Sequence, residues 1–535
     1  MRIRIPLLTV FLSFSLSLLA PDSLIADKTL VVSLNSSQLE LNPVQSFSAT
    51  EAQLFSGLYE GLVTYHPFTL DPLPGVASRW TVSPDGLTYR FTLREDALYW
   101  NGDPVTAEDF RQTWLMLLDP AADAPYSFLL DGVKGARDYR TGKNSDPDSV
   151  GIRTDGPRVL EVELASPADH FLKILCHHAF SPLHPEIRES LAKGGKAPGL
   201  GNGPFFLYRQ TDTELVFLRN ELYWDVNKVE LKEIRFLFQD DESAVADSFN
   251  QGEIHWSLGN IDFARVENKR SVVVNPLFAT TYYFFAPKTA PFDDPRIRRA
   301  LALLVPWNEI RSKDFYYTPA QTLIPSLEGY PEPESIREQN REEAESLLAQ
   351  AGYPGGRGLP PVVLRLPRGT EETNASRIIR EAWAEALDTP VEFDLLPPRE
   401  YYGSLEKEGY ALGILTWIGD FADPLTFLQM WASDSNLNDG GYSNPAYDEL
   451  LDRAAGQTGT KRLKTLSESE GLLLGEGTVL PVSHQPALNV VDLSSLEGWY
   501  PNPLDIHPFK YMRFAVPELP PNVAEGSGVS GKDLL

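Results

Sequence analysis

The chemistry this sequence could perform centres on an acid at the end of an apolar run. Tyr410-Ala411-Leu412-Gly413-Ile414-Leu415-Thr416-Trp417-Ile418-Gly419 mixes β-branched and aromatic residues in the pattern of a buried strand. Asp420 follows directly, before Asp423-Pro424 breaks the run. A carboxylate at the mouth of such a strand, framed by Trp417 and Phe421, is costly unless a cation meets it. Two readings stay open on these residues alone. Asp420 caps a turn or pairs with a nearby Lys or Arg, or it waits for a cationic ligand.

Other chemistry is thin. Cys176-His177-His178 with His184 fits no structural zinc spacing, and a buried strand end explains it as well. No spacing singles out a hydrolase pair among the carboxylates. The chain has no Gly-x-Ser-x-Gly elbow, phosphate loop or dinucleotide fingerprint. The charge run from Arg337 to Glu345 reads as a solvated helix face. The expectation is a protein that is not an enzyme and holds neither metal nor cofactor.

Composition sets the frame for these side chains. A chain of 535 residues that is 42% hydrophobic can bury several cores, so two or three domains are expected. A formal net charge of −27 argues against nucleic acid and anionic membrane as partners. Cys176 is the single cysteine, so no internal disulfide can form. Arg2 and Arg4 precede an apolar run from Leu7 to Leu19 that is too short to span a bilayer, followed by small residues. This is the pattern of a secretory signal over residues 1–26, cut after Ala26. With no Cys near the cut, a soluble exported protein is expected rather than a lipoprotein.

The elements that must position Asp420 are also legible. A strand is expected over Lys28 to Leu34 and a helix over Ala52 to Leu62. A hairpin should turn at Pro84-Asp85-Gly86, and a helix should be capped by Thr106 with Asp109 three residues on. Beyond Tyr282 the expected helices begin at Asp294-Pro295, near Ser335, at Thr373, at Glu400 and near Leu425. Strands fall at Val362 to Leu366, at Val391 to Leu395 and in the run before Asp420. That β-α-β-α-β order predicts an α/β domain with a mostly parallel sheet, and ligands of such sheets sit beyond the carboxyl ends of strands.

Taken together, several stretches resemble the peptide-binding branch of the solute-binding proteins that serve ABC importers (solute-binding protein family 5). They are Leu41-Asn42-Pro43, Tyr59-Glu60-Gly61-Leu62, Pro74-Gly75-Val76-Ala77, the Trp80 to Arg94 hairpin and Trp100-Asn101-Gly102-Asp103-Pro104-Val105-Thr106-Ala107-Glu108-Asp109-Phe110. To these add Asn202-Gly203-Pro204-Phe205, Pro291-Phe292-Asp293-Asp294, Leu347-Leu348-Ala349-Gln350-Ala351-Gly352-Tyr353 and Asp423-Pro424. The resemblance implies a two-lobed periplasmic-binding-protein fold with a hinge. Lobe I would comprise residues 27–64, 183–281 and 484–517, with an inserted subdomain at 65–182. Lobe II would span 282–483, and 518–535 would form a disordered tail. It also implies a monomer in the periplasm that captures peptides and delivers them to permease subunits in the inner membrane.

By the same resemblance, Asp420 matches the carboxylate that holds a peptide's α-ammonium. Thr416 and Ile418 match strand-edge positions whose backbone pairs with the peptide, and Ala49 a backbone position on the other lobe. Tyr126, Tyr401 and Trp417 match aromatic walls. The departures concern the other end of the ligand. Phe47 stands where relatives carry an acid and Ile414 where they carry an arginine, while Glu372 aligns loosely with a histidine. Lys313 remains as a basic candidate for the ligand's carboxylate, and a solvated helix-end lysine is its plainer reading. A sugar, opine, nickel chelate or haem on the same scaffold, and an exported chaperone or hydrolase, are the competing functions.

Overall fold

A computed structural model of the chain describes residues 29–35, 39, 41–46, 48–196, 199–312 and 317–515. The signal peptide assigned to 1–26, the tail assigned to 518–535, and both Phe47 and Lys313 lie outside those residues.

One mixed sheet organises the molecule. Its order is Val391–Leu396, Val362–Pro367, Leu412–Ile418, Val272–Phe285, Val479–Val491, Trp256–Ser257, Thr29–Leu34, Glu233–Phe238, Glu214–Arg219, Phe205–Gln210, with Thr318–Pro319 added to Val479–Val491. The sheet's two ends belong to two lobes with separate cores. The first core gathers Leu30, Val32, Phe217 and Phe236. In the second lobe the sheet is covered on both faces, because alternate residues of one strand enter different cores: Tyr283 and Phe285 on one side, Tyr282 and Phe284 on the other.

Two strands are long enough to cross between the lobes: Val272–Phe285 and Val479–Val491, of 14 and 13 residues. Their antiparallel ladder runs from Val272↔Val490 to Pro276↔Pro486, lapses, and resumes at Thr280↔His484. The lapse follows from chemistry, since two facing prolines bring no N–H to the ladder. The sheet is not mostly parallel, as the strand–helix alternation had suggested. Val362–Pro367 runs parallel to both its neighbours, but the crossing strands pair antiparallel to each other and to Leu412–Ile418. A strand that arrives from the opposite lobe enters the sheet from the other end.

The inserted subdomain is a four-stranded antiparallel sheet in the order Ala77–Val82, Thr88–Leu93, Val159–Glu163, Ile152–Thr154. The Pro84-Asp85-Gly86 hairpin forms, with Gly86 at φ 74° in the left-handed region. Helix Ala107–Leu118 starts from the expected capping box: the Asp109 N–H donates to Thr106 Oγ1 at 3.2 Å and the Thr106 N–H to Asp109 Oδ2 at 3.0 Å. Phe91, Trp114 and Leu160 join the first lobe's core, so the subdomain sits on that lobe.

Several element boundaries differ from expectation for local reasons. The helix expected from Ser335 begins at Arg341, where the Asn340 side chain accepts the Glu343 N–H. The helix expected over Glu400 to Lys407 is the short Pro398–Tyr402. The helix near Leu425 covers only Leu425–Leu428 before tightening into Gln429–Trp431.

The loop after Leu412–Ile418 carries two acids, and only the second has a cation. Arg462, on helix Gly459–Gly475, meets Asp423 through two hydrogen bonds of 2.7 and 2.9 Å. Both side chains are about nine-tenths buried, at 10% and 11% exposure. The guanidinium holds the Asp423 carboxyl below its ordinary range despite that burial. Removing one partner of such a pair strands the other charge. Arg462→Ala is therefore expected to lower stability by about 3–5 kcal/mol in denaturant titration. A loss below about 1 kcal/mol would show that the pair does not hold this loop.

Candidate functional site

The free edge of strand Leu412–Ile418 is where the site begins. The Gly419 N–H donates to the Phe278 carbonyl at 2.8 Å, continuing the odd-numbered side of the strand toward Val272–Phe285. Even-numbered backbone groups face the other way. At Ile414 both are taken by one hydroxyl: Tyr401 Oη accepts the Ile414 N–H at 2.7 Å and donates to the Ile414 carbonyl at 2.6 Å. The parallel neighbour Val362–Pro367 is in register with this strand only at Leu364↔Leu412. Thr416 and Ile418 thus keep the backbone orientation of an unextended edge.

That edge borders a cavity of about 600 Å³ between the lobes. Ala49, Tyr126, Thr416, Trp417, Ile418 and Asp420 all line it. Ala49 opens helix Ala49–Leu58, whose capping box is closed by Ser48 and Glu51. Trp417 is fixed by its indole N–H, which donates to the Thr426 carbonyl at 3.1 Å. Tyr401, expected at the wall, is instead fully buried, with its hydroxyl spent on Ile414, and its neighbour Tyr402 lines the cavity. Ile414 packs against the second lobe's cores and offers no charge.

Asp420 is held in place by short-range contacts. The Thr426 hydroxyl accepts the Asp420 N–H at 2.8 Å and donates to Oδ2 at 2.9 Å, while the Tyr65 hydroxyl donates to the Asp420 carbonyl at 3.0 Å. Tyr126 hydrogen-bonds the carboxylate as well. Gly419 lets the loop pass close to its neighbours, since a Cβ there would lie 2.6 Å from Phe278 Cδ1 and 2.9 Å from Thr426 Cγ2.

The charge of Asp420, unlike that of Asp423, is uncompensated. Its side chain is only 8% exposed. Among the described residues no Lys or Arg nitrogen lies within 4 Å; the nearest titratable nitrogen is His177 Nε2, at 3.8 Å, beyond hydrogen-bond range. Burial lowers His177 to about 3, so it is neutral at pH 7. With no cation beside it, burial pushes the Asp420 carboxyl up to about 7. The Lys-or-Arg pairing that the sequence left open is met by Asp423, three residues later, and not by Asp420.

Sequence reasoning missed Thr426, Tyr65 and Tyr402, which carry no motif of their own. It weighed His177 and His178 for metal. Their rings tilt against each other at 4.1 Å and meet the Tyr126 ring edge-on, and both line the cavity. Among the described residues no group of three or more His, Cys, Asp or Glu could hold a metal ion, and no helix is long and apolar enough to cross a membrane.

Residues 71–439 match the family model for the bacterial extracellular solute-binding proteins, family 5 middle region, and the chain belongs to that family. It is 28% identical over 476 residues to the oligopeptide-binding protein OppA of Bacillus subtilis, covering 85% of this chain and 87% of that one. The murein tripeptide-binding protein MppA of Escherichia coli superposes with a TM-score of 0.80 at 26% identity, over 91% of this chain and 98% of that one. Haemophilus influenzae OppA in complex with RPPGFSPFR also gives 0.80, at 25% identity over 91% and 99% of the two chains. The unliganded open form of MppA, at the same 26% identity and coverage of 91% and 98%, gives 0.63. The lobes here therefore sit nearer the arrangement of the peptide complex than that of the open form.

An acid whose folded-state pKa is raised costs the fold nothing below its unfolded value near 3.8 and costs most above about 7. Between those limits the native state binds more protons than the unfolded state, so stability falls as pH rises. Asp420→Asn removes that slope. The variant is expected to be more stable than wild type at pH 8, by on the order of 2–4 kcal/mol, and nearly equal to it at pH 4. A variant less stable than wild type at pH 8 would mean that Asp420 supports the fold.

Proposed function

We propose that this chain is a peptide receptor of an ABC importer, and that Asp420 anchors the ligand's N-terminal ammonium. The observation that carries the reading is a buried carboxylate lining an interlobe cavity, with no Lys or Arg nitrogen within 4 Å among the described residues. An α-ammonium supplies that cation and donates charge-assisted hydrogen bonds. The peptide's backbone pairs with the edge at Thr416 and Ile418, as an added strand, and meets Ala49 from the first lobe. Trp417 and Tyr126 form apolar walls. The names of OppA and MppA, which bind oligopeptides and a murein tripeptide, support the peptide class.

The remainder of the reading follows from this role. Lobe I takes residues 27–64, 183–281 and 484–517, with the subdomain at 65–182, and lobe II takes 282–483. The two lobe limits at 281/282 and 483/484 fall inside the crossing strands, which act as the hinge. The chain is exported by its signal peptide, acts as a periplasmic monomer, and hands its cargo to the permease in the inner membrane. It performs no catalysis and needs no cofactor. Nucleic acid is not a partner of a chain with net charge −27.

Removing the carboxylate or the ammonium should do comparable damage. Asp420→Ala is expected to weaken a free-amine peptide by about tenfold to a hundredfold in calorimetric titration. N-acetylation of the peptide should cost wild type a similar factor. Equal affinities for acetylated and free peptides would remove Asp420 from this role. Stabilisation of the protein by sugars or metal ions, with no response to any peptide, would replace peptide by another solute.

A further inference from the structure

The proposed ligand is anchored at one end, and the structure constrains how far it can run. A peptide whose ammonium meets Asp420 and whose first residue pairs with Ile418 runs antiparallel to Leu412–Ile418. Edge residues repeat every second position, so its third residue pairs with Thr416. The next even position is Ile414, whose N–H and carbonyl are already closed by Tyr401 Oη, at 2.7 and 2.6 Å. Tyr401 therefore acts as a stop. Backbone pairing on this edge ends at the ligand's third residue.

The rest of the charged lining of the cavity is negative. Tyr402 and Glu406, which follow Tyr401 in the chain, line the cavity together with Asp439 and Asp123. Asp439 is pushed up to about 6, chiefly by burial; the Lys288 charge opposes the rise, and Glu406 and Asp123 add to it. Lys288, Arg365 and Arg140 lie near, and each is engaged; Arg140 pairs with Asp131 at 2.6 Å and donates to Asn436 Oδ1 at 3.0 Å. Lys288 Nζ donates to the main-chain carbonyls of Leu405, at 2.8 Å, and of Asp439. Arg365 donates to Asp394 at 2.8 Å. No lysine or arginine among the described residues lines the cavity. Glu60, the remaining acid in the wall, is already bonded by Tyr223, by Trp224 at 2.6 Å, and lies 3.7 Å from Lys510. The N-terminus of helix Ala49–Leu58 offers no substitute, because Glu51 already occupies it.

We infer that the site holds a peptide through its first three residues only, and selects against a carboxylate at the third. The favoured ligands are peptides with a basic side chain or a blocked carboxyl at that position, and longer peptides whose carboxylate lies outside the cavity. This rests on the peptide reading above, and the test separates the two. Trialanine, trialanine amide, N-acetyltrialanine amide and hexa-alanine amide are titrated calorimetrically into the purified protein at low salt. Trialanine amide should bind at least about fivefold tighter than trialanine, with the gap shrinking as salt is added. Hexa-alanine amide should match trialanine amide within about threefold, because no further backbone is paired. The double variant Glu406→Gln, Asp439→Asn should bring acid and amide within about twofold. A gap between acid and amide smaller than fivefold, or a longer amide bound more than about threefold tighter, overturns the inference. If that happens while acetylation still weakens binding by about tenfold or more, Asp420 keeps its role. If none of the four binds, both readings fall.

Discussion

The structure depends on one carboxylate that the fold has taken out of water with no Lys or Arg beside it among the described residues. Burying an unpaired charge is among the more costly things a protein can do. The surrounding residues show how it is tolerated. Thr426, Tyr126 and the backbone contact of Tyr65 hold Asp420 by hydrogen bonds, and its proton affinity rises until the group sits at the edge of ionisation. The contrast with Asp423 is instructive. Both acids leave the same strand end, yet Arg462 satisfies one and leaves the other. The second acid is structural, whereas the first is, on the proposed function, an ion pair that the ligand completes.

An unfinished pair in a hinged molecule gives the closing motion a direction. Closure of the two lobes over an empty cavity buries a charge. On the proposed function, closure over an ammonium buries a neutralised pair, so the ligand would favour the closed state through its differential interaction with the two arrangements. The crossing strands suit that motion. Their ladder lapses between Pro276 and Thr280, beside the facing prolines Pro276 and Pro486, and shifts register again between Thr281 and Tyr282, so bending there disturbs few hydrogen bonds.

Much of this architecture was legible from residue pattern. The hairpin at Pro84-Asp85-Gly86, the capping box at Thr106 and a strand leading up to Asp420 each follow from local chemistry, and each formed, although that strand ends at Ile418 and is buried only at Leu412 and Gly413 because its far end is a free edge. Strand direction was less legible. The β-α-β-α-β alternation describes only the strands it contains, while Val272–Phe285 and Val479–Val491 enter from the other lobe over separations no periodicity records. The site divides in the same way. Asp420 announced itself as an acid at an apolar strand end. Whether a cation met it could not be read, because Arg462 lies 39 residues from Asp423 and nothing local says which acid it will reach. Tyr401 and Tyr402 are adjacent and alike, and one residue step along the helix decides which faces the cavity and which closes the strand edge.

The central claim is that an incoming ammonium displaces a proton from Asp420, and proton release on binding measures it directly. Titrations of one free-amine peptide at pH 6.5, in buffers of different ionisation enthalpy, give the number of protons exchanged. With the carboxyl near 7 in the empty site, roughly three-quarters of a proton should leave the protein for each peptide bound, and none in Asp420→Asn. Binding of the same peptide with no proton exchange would contradict the account, because Asp420 would then already be ionised and matched by a partner within the fold.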